Sequence, residues 1–538
     1  MSNAPMRSGS ALPDSARHVQ SSRTSTILLL LAVAAYLIVL VWAFPIDMDE
    51  LLPYHPIACS SASQAVNTYT APCDGYPTSL GPLEFQRAFE YIGATPALIM
   101  APLLATTHWA GWHLLAGVVV LVATAVGIAV SARIPRRYSL VVIAWVPIAL
   151  ATIHDTGPVR YAMLAIVWTP ALVRQFCTAG RWWARFGSLI LVLIGWVVAT
   201  ESKPFFLYLV PGTIVWTAAA LTLTDAGFLR RHLVRVSLAL GLAGVSALLV
   251  TLVLTVEGEM YLAYLASFGS PNSLLMSAGI GGVFLFVWTM TAQRFILQIP
   301  NVDAHFPDLL QGPANALPLS TDRGAPLSVL LLAIATVAVV LLVGWSWWRL
   351  FARGTTADRR YALWLTATTL TFFLGAVLSR GGSVHHFVFA QVPIVVLVIT
   401  ALRTRGWSAV RTAWLALGVS ALAVVSMLAI PLKPEVSRDI DAVMAEAISR
   451  STPGSVVNCQ PWGCYYQFAL ADRDGVPIVW AERPEQQAEL AASMPSGATI
   501  WHVCRGCNIN DVASGFPGAA IDSEMDTDSG WRLFEVTP

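Results

Sequence analysis

STILLLLAVAAYLIVLVWAF, residues 25–44, runs straight into Pro45-Ile46-Asp47-Met48-Asp49-Glu50, and the reading of this junction decides the fold. At about 1.5 Å per residue, roughly 20 uncharged residues cross a hydrocarbon layer of about 30 Å. No small-residue cleavage site precedes the polar Pro45–Glu50 stretch, so the run is expected to stay as a first membrane helix and not to be removed as a signal peptide. Met1–Thr24 ahead of it is polar and rich in Ser, Ala and Arg, and reads as a disordered cytoplasmic tail.

Working outward, the whole chain has the same character. Of its 538 residues 56% are hydrophobic and only 12% charged, with a mean hydropathy of +0.64. Soluble domains carry about 25% charged residues, so much of this surface is built for lipid. A net charge of +1 and no basic tract exclude nucleic acid as a partner.

Ten further apolar stretches qualify as spans: 112–132, 138–153, 159–173, 187–201, 205–224, 236–256, 326–348, 361–379, 385–402 and 411–431. With the first they predict an α-helical polytopic domain of about 11 transmembrane helices over residues 25–431. One more stretch, Ile92–Thr107, is short and holds two prolines. Loop charge decides its fate, because Lys and Arg gather on the cytoplasmic side. If 92–107 does not cross, the arginines of 133–137, 174–185, 230–235, 349–360 and 403–411 all fall inside with the N-terminal tail. Only Arg87, Arg160, Lys203, Arg294, Arg323 and Arg380 are then left in the outer loops. If it crosses, the bias inverts. Residues 92–107 are therefore expected to lie along the outer face as a juxtamembrane helix.

That topology puts three large segments outside: 45–111, 257–325 (whose apolar part 274–290 is either re-entrant or a further span) and 432–538. The last predicts a small extracytoplasmic α/β domain. It has short strands at Ser455–Asn458, Pro477–Ala481, Ala498–Val503 and Arg532–Val536, and helices at Val436–Arg450 and around Glu485–Ser493. Six of the seven cysteines, Cys59, Cys73, Cys459, Cys464, Cys504 and Cys507, then lie in an oxidising compartment where disulfides persist. Cys59–Cys73 would close the first loop, and the other four allow three pairings. A tetrathiolate zinc site, or a redox pair at Cys504-Arg505-Gly506-Cys507, are the rival uses.

Four outer-edge stretches could carry chemistry. Asp47, Asp49 and Glu50 offer carboxylates at the membrane surface, where partial burial and mutual repulsion raise a pKa toward general-base work; an acidic solvated edge is the plain alternative. His154, Asp155 and Arg160 gather an imidazole, an acid and a cation in one tight turn, or cap two helix ends. Lys203, in Glu201-Ser202-Lys203-Pro204, is one of only two lysines; it can hold a lipid phosphate as a point charge or snorkel to the surface. Arg380-Gly381-Gly382-Ser383-Val384-His385-His386 opens the tenth span and suits an anionic headgroup. Adjacent histidines point about 100° apart on a helix and chelate poorly.

Taken in order, these stretches resemble the GT-C glycosyltransferases. Asp49-Glu50 after the first span is similar to that family's acidic motif, with Tyr54-His55-Pro56-Ile57-Ala58 following as a helix start. Glu90-Tyr91-Ile92-Gly93 and Ala101-Pro102 resemble the second juxtamembrane helix of protein O-mannosyltransferase and aminoarabinose-transferase relatives. Ser202-Lys203-Pro204 resembles their outer turn before the sixth span, and His385-His386-Phe387 with Pro393 their late His/Pro segment. The likeness covers roughly residues 25–430. Asp47 departs from the pattern as a second candidate acid, and the C-terminal domain matches no member.

The resemblance implies inverting transfer of a sugar from a polyprenyl-phosphate donor to a lipid, glycan or protein acceptor on the outer face of a bacterial inner membrane. Asp49, or Asp47, with Glu50 beside them, would supply the base. Lys203, Arg160 or Arg380 would steady the departing phosphate. A divalent cation, Mg2+ or Mn2+, held by Asp47, Asp49, Glu50 and Asp155 is one way to do this; the basic side chains alone are the other. Two rival classes share the compartment. A transporter or flippase for a lipid-linked saccharide would place charges inside its spans, and here they crowd the outer edge. An O-antigen-type ligase or polymerase would centre on a large loop with paired Arg and His, where 257–325 offers only Arg294, His305 and Arg323.

Overall fold

The computed structural model describes residues 14–42, 76–80, 83–87, 95–107, 111–154, 159–223, 225, 227–256, 325–380, 384–429, 434–460, 476, 478–479, 481, 483–527 and 530–538. Its first part is a bundle of helices, and each expected span coincides with one helix or a helix pair. In chain order these are α1 (Asp14–Trp42), α2 (Thr95–Thr107), α3 (Gly111–Ser131), α4 (Ser139–Ile143), α5 (Val146–Ile153), α6 (Val159–Thr178) and α7 (Trp182–Ser202). There follow α8 (Phe206–Thr222), α9 (Phe228–Val256), α10 (Ala325–Arg353), α11 (Thr356–Arg380), a 3-10 helix at Val384–Ala390, α12 (Gln391–Thr404) and α13 (Ala409–Ala429). Among the described residues six helices are long and apolar enough to cross a membrane, seven if a bent pair counts as one, and α8 and α13 are shorter apolar helices.

Two features differ from the expectation. Helix α1 runs Asp14–Trp42 and so begins well ahead of the expected span at Ser25. The stretch 138–153 is not one straight span: α4 and α5 meet at a 76° bend. Trp145 is the extended residue between the two helices, with φ −80° and ψ 102°, and Pro147 follows in the first turn of α5, where its missing N–H costs no intrahelical bond. The backbone groups freed at the bend are satisfied from α13. Val146 N donates to Ser420 Oγ at 3.2 Å, and the same hydroxyl donates to Ala144 O. Trp145 Nε1 donates to Gln391 Oε1 at 3.1 Å from α12. A break at membrane depth is tolerated only where neighbours supply such partners.

The bundle buries small and aromatic residues and shows large aliphatic ones outward. Trp196, Trp216, Phe205, Phe206, Phe372 and Phe389 are fully enclosed, whereas Val119, Leu191, Leu249 and Leu341 are more than half exposed. A soluble protein would not leave so many aliphatic side chains in water; lipid is their solvent. Helices α8 and α11 interlock through glycine: a Cβ on Gly212 would run into Phe372, and one on Gly375 into Tyr208 O. Small residues that let helix backbones approach are the usual means of packing where the hydrophobic effect is absent.

Ahead of α2, β1 (Tyr76–Leu80) and β2 (Leu83–Arg87) form an antiparallel hairpin, which the sequence reading did not foresee. The C-terminal domain comprises α14 (Pro434–Arg450), β3 (Val456–Cys459), β4 (Ile478–Val479), α15 (Pro484–Ser493), β5 (Ile500–Arg505), α16 (Ile509–Gly515), β6 (Ala520–Asp526) and β7 (Trp531–Thr537). Its sheet has the order β4-β3-β5-β7-β6, parallel over the first three strands and antiparallel over the rest. Central strand β5 is buried at five of six positions, as a strand covered on both faces must be. The fold class is thus helical membrane bundle plus small α/β domain, as the sequence led us to expect.

Candidate functional site

One end of the bundle gathers three of the four stretches singled out above. The turn between α5 and α6 brings His154 and Arg160, which are 2% and 3% exposed. His154 Nε2–H donates to Leu40 O at 2.7 Å, fastening this turn to the last residues of α1. From there the chain leads within a few residues to Asp47, Asp49 and Glu50, which lie outside the described residues, as does Asp155.

Arg160 is held by its neighbours on every side. Its Nε donates to Thr152 O and its Nη2 to Ile153 O, both at 2.6 Å. Its Nη1 and Nη2 lie 3.2 and 3.3 Å from the two ring nitrogens of His113. The guanidinium thus closes the C-terminal end of α5, where orphan carbonyls and the helix dipole favour a cation. Gly117 makes this possible, since a Cβ there would sit 2.5 Å from Ile153 Cα and from Thr152 O. Neither His113 nor Gly117 was singled out from sequence. Both lie in the uniform apolar run of α3, and only the fold shows what they face.

Lys203, 4% exposed, ends α7 in an extended conformation. Its Nζ stands 5.3 Å from the centre of the Phe205 ring, a cation–π distance. Beside it the Ser202 hydroxyl is fully buried and has no hydrogen-bond partner among the described residues. Glu201 turns the other way and accepts from Thr95 N at 3.0 Å, capping the start of α2. That bond brings the start of α2, the expected juxtamembrane helix, to the same end of the bundle.

The Phe205 ring lies 5.6 Å from that of Phe389, in the 3-10 helix that carries His385 and His386. This short helix also touches α5 and α6. These contacts tie the 3-10 helix to the Lys203–Phe205 turn and to α5 and α6, the helices that carry His154 and Arg160 at their facing ends. The side chains of Arg380, His385 and His386 lie outside the described residues.

Among the described residues no group of three His, Cys, Asp or Glu could hold a metal ion; the acids proposed for one are not among them. In the C-terminal domain Cys504 and Cys507 are joined in a disulfide, so they are not free thiolates for zinc. Both are buried. Cys459 is disulfide-bonded as well, while Cys59, Cys73 and Cys464 lie outside the described residues. Cys177 is free and buried.

No protein-family model matches the chain, and no curated protein does. Solved structures do. The crystal structure of ArnT from Cupriavidus metallidurans in the apo state is similar with a TM-score of 0.52 at 13% identity, over 95% of this chain and 98% of that one. The structure of the same protein bound to undecaprenyl phosphate gives 0.53 at 13% identity, with the same coverage. Identity this low carries the fold alone, and on that likeness the chain has the ArnT-like GT-C fold, helical bundle and C-terminal domain together.

Proposed function

We propose that the protein is a membrane glycosyltransferase that moves a sugar from a polyprenyl-phosphate donor to an acceptor at the outer face of the inner membrane, with inversion. The observation that carries this reading is a convergence within an ArnT-like fold: buried Lys203, the Ser202 hydroxyl, unpartnered among the described residues, and the Arg160–His113 pair sit at the end where α1 leads into Asp47, Asp49 and Glu50. Asp49 or Asp47 takes the proton from the acceptor hydroxyl as its oxygen attacks the anomeric carbon. The C–O bond to the lipid phosphate breaks, and Lys203 holds the departing phosphate, where a low dielectric strengthens the attraction. Arg160 acts one step back by fixing the turn that holds His154 against α1.

The α4–α5 break is a feature that would suit a transporter, whose broken helices line a path. Here Ser420 and Gln391 fill it, which favours surface chemistry.

Transfer of label from a polyprenyl-phosphate sugar by the full-length protein in detergent tests the proposal. Asp49→Asn and Lys203→Ala are each expected to lower turnover by on the order of a hundredfold or more. Full activity in both removes the assignment.

A further inference from the structure

The opposite end of the bundle holds a cavity of about 670 Å³, a size typical of small-ligand sites. Four helix ends make it: the C-terminal ends of α3, α8 and α12 and the N-terminal turns of α11. Three arginines from three of these elements line it, Arg133, Arg360 and Arg403. None of them has a carboxylate partner among the described residues.

The two acids in the wall are engaged elsewhere. Asp225 pairs with Arg231 outside the cavity. Asp358 caps its own helix, accepting from Thr355 N and Thr355 Oγ1 at 2.8 Å. Nor are the arginines needed to close the helix ends of α3 and α8. Buried Arg174 already donates to Ser131 O and Ala220 O at 3.0 Å and to Val130 O at 3.4 Å.

Arg133 has φ +51°, and among the described residues no other non-glycine has a positive φ. Such a backbone is strained for a long side chain and persists where the surroundings impose it. Half-buried Tyr361 and Trp364 supply the apolar part of the wall, with the Tyr361 hydroxyl accepting from Thr400 Oγ1 at 3.3 Å.

We infer that this cavity binds a phosphate ester, its anionic oxygens on Arg133, Arg360 and Arg403 and its less polar part against Tyr361 and Trp364. Arginine forks match phosphate geometry, and basic pockets between membrane helices suit lipid headgroups. The phosphate ester comes either on an anionic phospholipid of the arginine-rich leaflet or on a soluble metabolite. The site is separate from the Lys203 end and independent of the transferase reading.

The test is native mass spectrometry of the full-length protein in detergent with added phosphatidylglycerol or cardiolipin, and separately with inorganic pyrophosphate as the soluble probe. The wild type is expected to retain one of these ligands. The Arg360→Gln and Arg403→Gln variants should bind it more weakly, by on the order of tenfold each, while Arg411→Gln, at the same end but outside the cavity wall, should bind it normally. Thermal midpoints of the three variants show that folding is unchanged, and Arg133→Gln is kept out because its backbone is strained. Retention of lipid assigns the headgroup, and retention of pyrophosphate without lipid assigns a soluble phosphate compound. Equal retention of every ligand by wild type and both cavity variants, or none by any, overturns the inference.

Discussion

Replacing Arg160 separates a structural cation from a catalytic one. Its two 2.6 Å bonds reach carbonyls that end α5, in a place where water does not enter. A buried acceptor left without its partner costs about 1–3 kcal/mol. Arg160→Gln leaves two of them and is therefore expected to destabilise the protein by roughly 2–6 kcal/mol. Arg160→Lys restores the charge but not the fork, since one ammonium cannot serve Thr152 O, Ile153 O and the His113 ring together. It should recover only part of the loss. The assay is the thermal inactivation midpoint of the full-length protein in detergent, with no substrate present. The expected order is wild type, then Arg160→Lys, then Arg160→Gln. Unchanged midpoints with a selective loss of donor affinity would refute the helix-closing role and return Arg160 to the phosphate.

Three further outcomes follow from the same packing. Gly117→Ala puts a methyl 2.5 Å from the backbone of Ile153 and 2.6 Å from Arg160 Nη2, and overpacking of this kind costs about 1–3 kcal/mol; a lowered midpoint that Gly117→Ser shares and Gly187→Ala, whose Cβ meets nothing, does not share is the expected result. Ser420→Ala strips both partners from the α4–α5 bend, so hydrogen exchange at Val146 N should accelerate markedly relative to Ala149 N, which stays bonded within α5. In the C-terminal domain, burial holds the His502 imidazole down at about 3 from its usual 6.5, and Nδ1 accepts from Asn458 Nδ2 at 2.9 Å in the neutral form. Because the folded value is depressed, this contribution is complete above about pH 6.5 and is lost as pH falls toward 3, at up to about 1.4 kcal/mol per unit. His502→Gln should flatten the acid limb of the unfolding midpoint as followed by a probe in that domain; an unaltered acid limb would show that His502 does not set it.

The sequence yielded most where the physics is one-dimensional. Hydropathy placed apolar stretches where the structure has helices, because lipid demands long apolar runs, and the expected strands Ala498–Val503 and Arg532–Val536 overlap the observed Ile500–Arg505 and Trp531–Thr537. Strand β6, Ala520–Asp526, escaped because its polar, half-exposed residues carry no such pattern. The bend at Trp145 needed the knowledge that Ser420, far along the chain, would satisfy it. His113 and Gly117 were invisible for the same reason: their meaning lies in Arg160, which folding brings to them. Lys203 was legible as a rare lysine at a membrane edge, but nothing in the sequence indicated its burial over Phe205 or the buried hydroxyl of Ser202. The cavity among Arg133, Arg360 and Arg403 draws on turns that the charge rule treated only as a sign of sidedness.

The central claim is that the end of the bundle joining α1, His154 and Lys203 receives a lipid-borne phosphate. A structure of the full-length protein with added undecaprenyl phosphate tests it most directly. The phosphate is expected within hydrogen-bonding reach of Lys203 Nζ and the Ser202 hydroxyl, with Asp49 or Asp47 facing the same space. A phosphate bound away from this end, or a lipid groove closed off from the exit of α1, would contradict it.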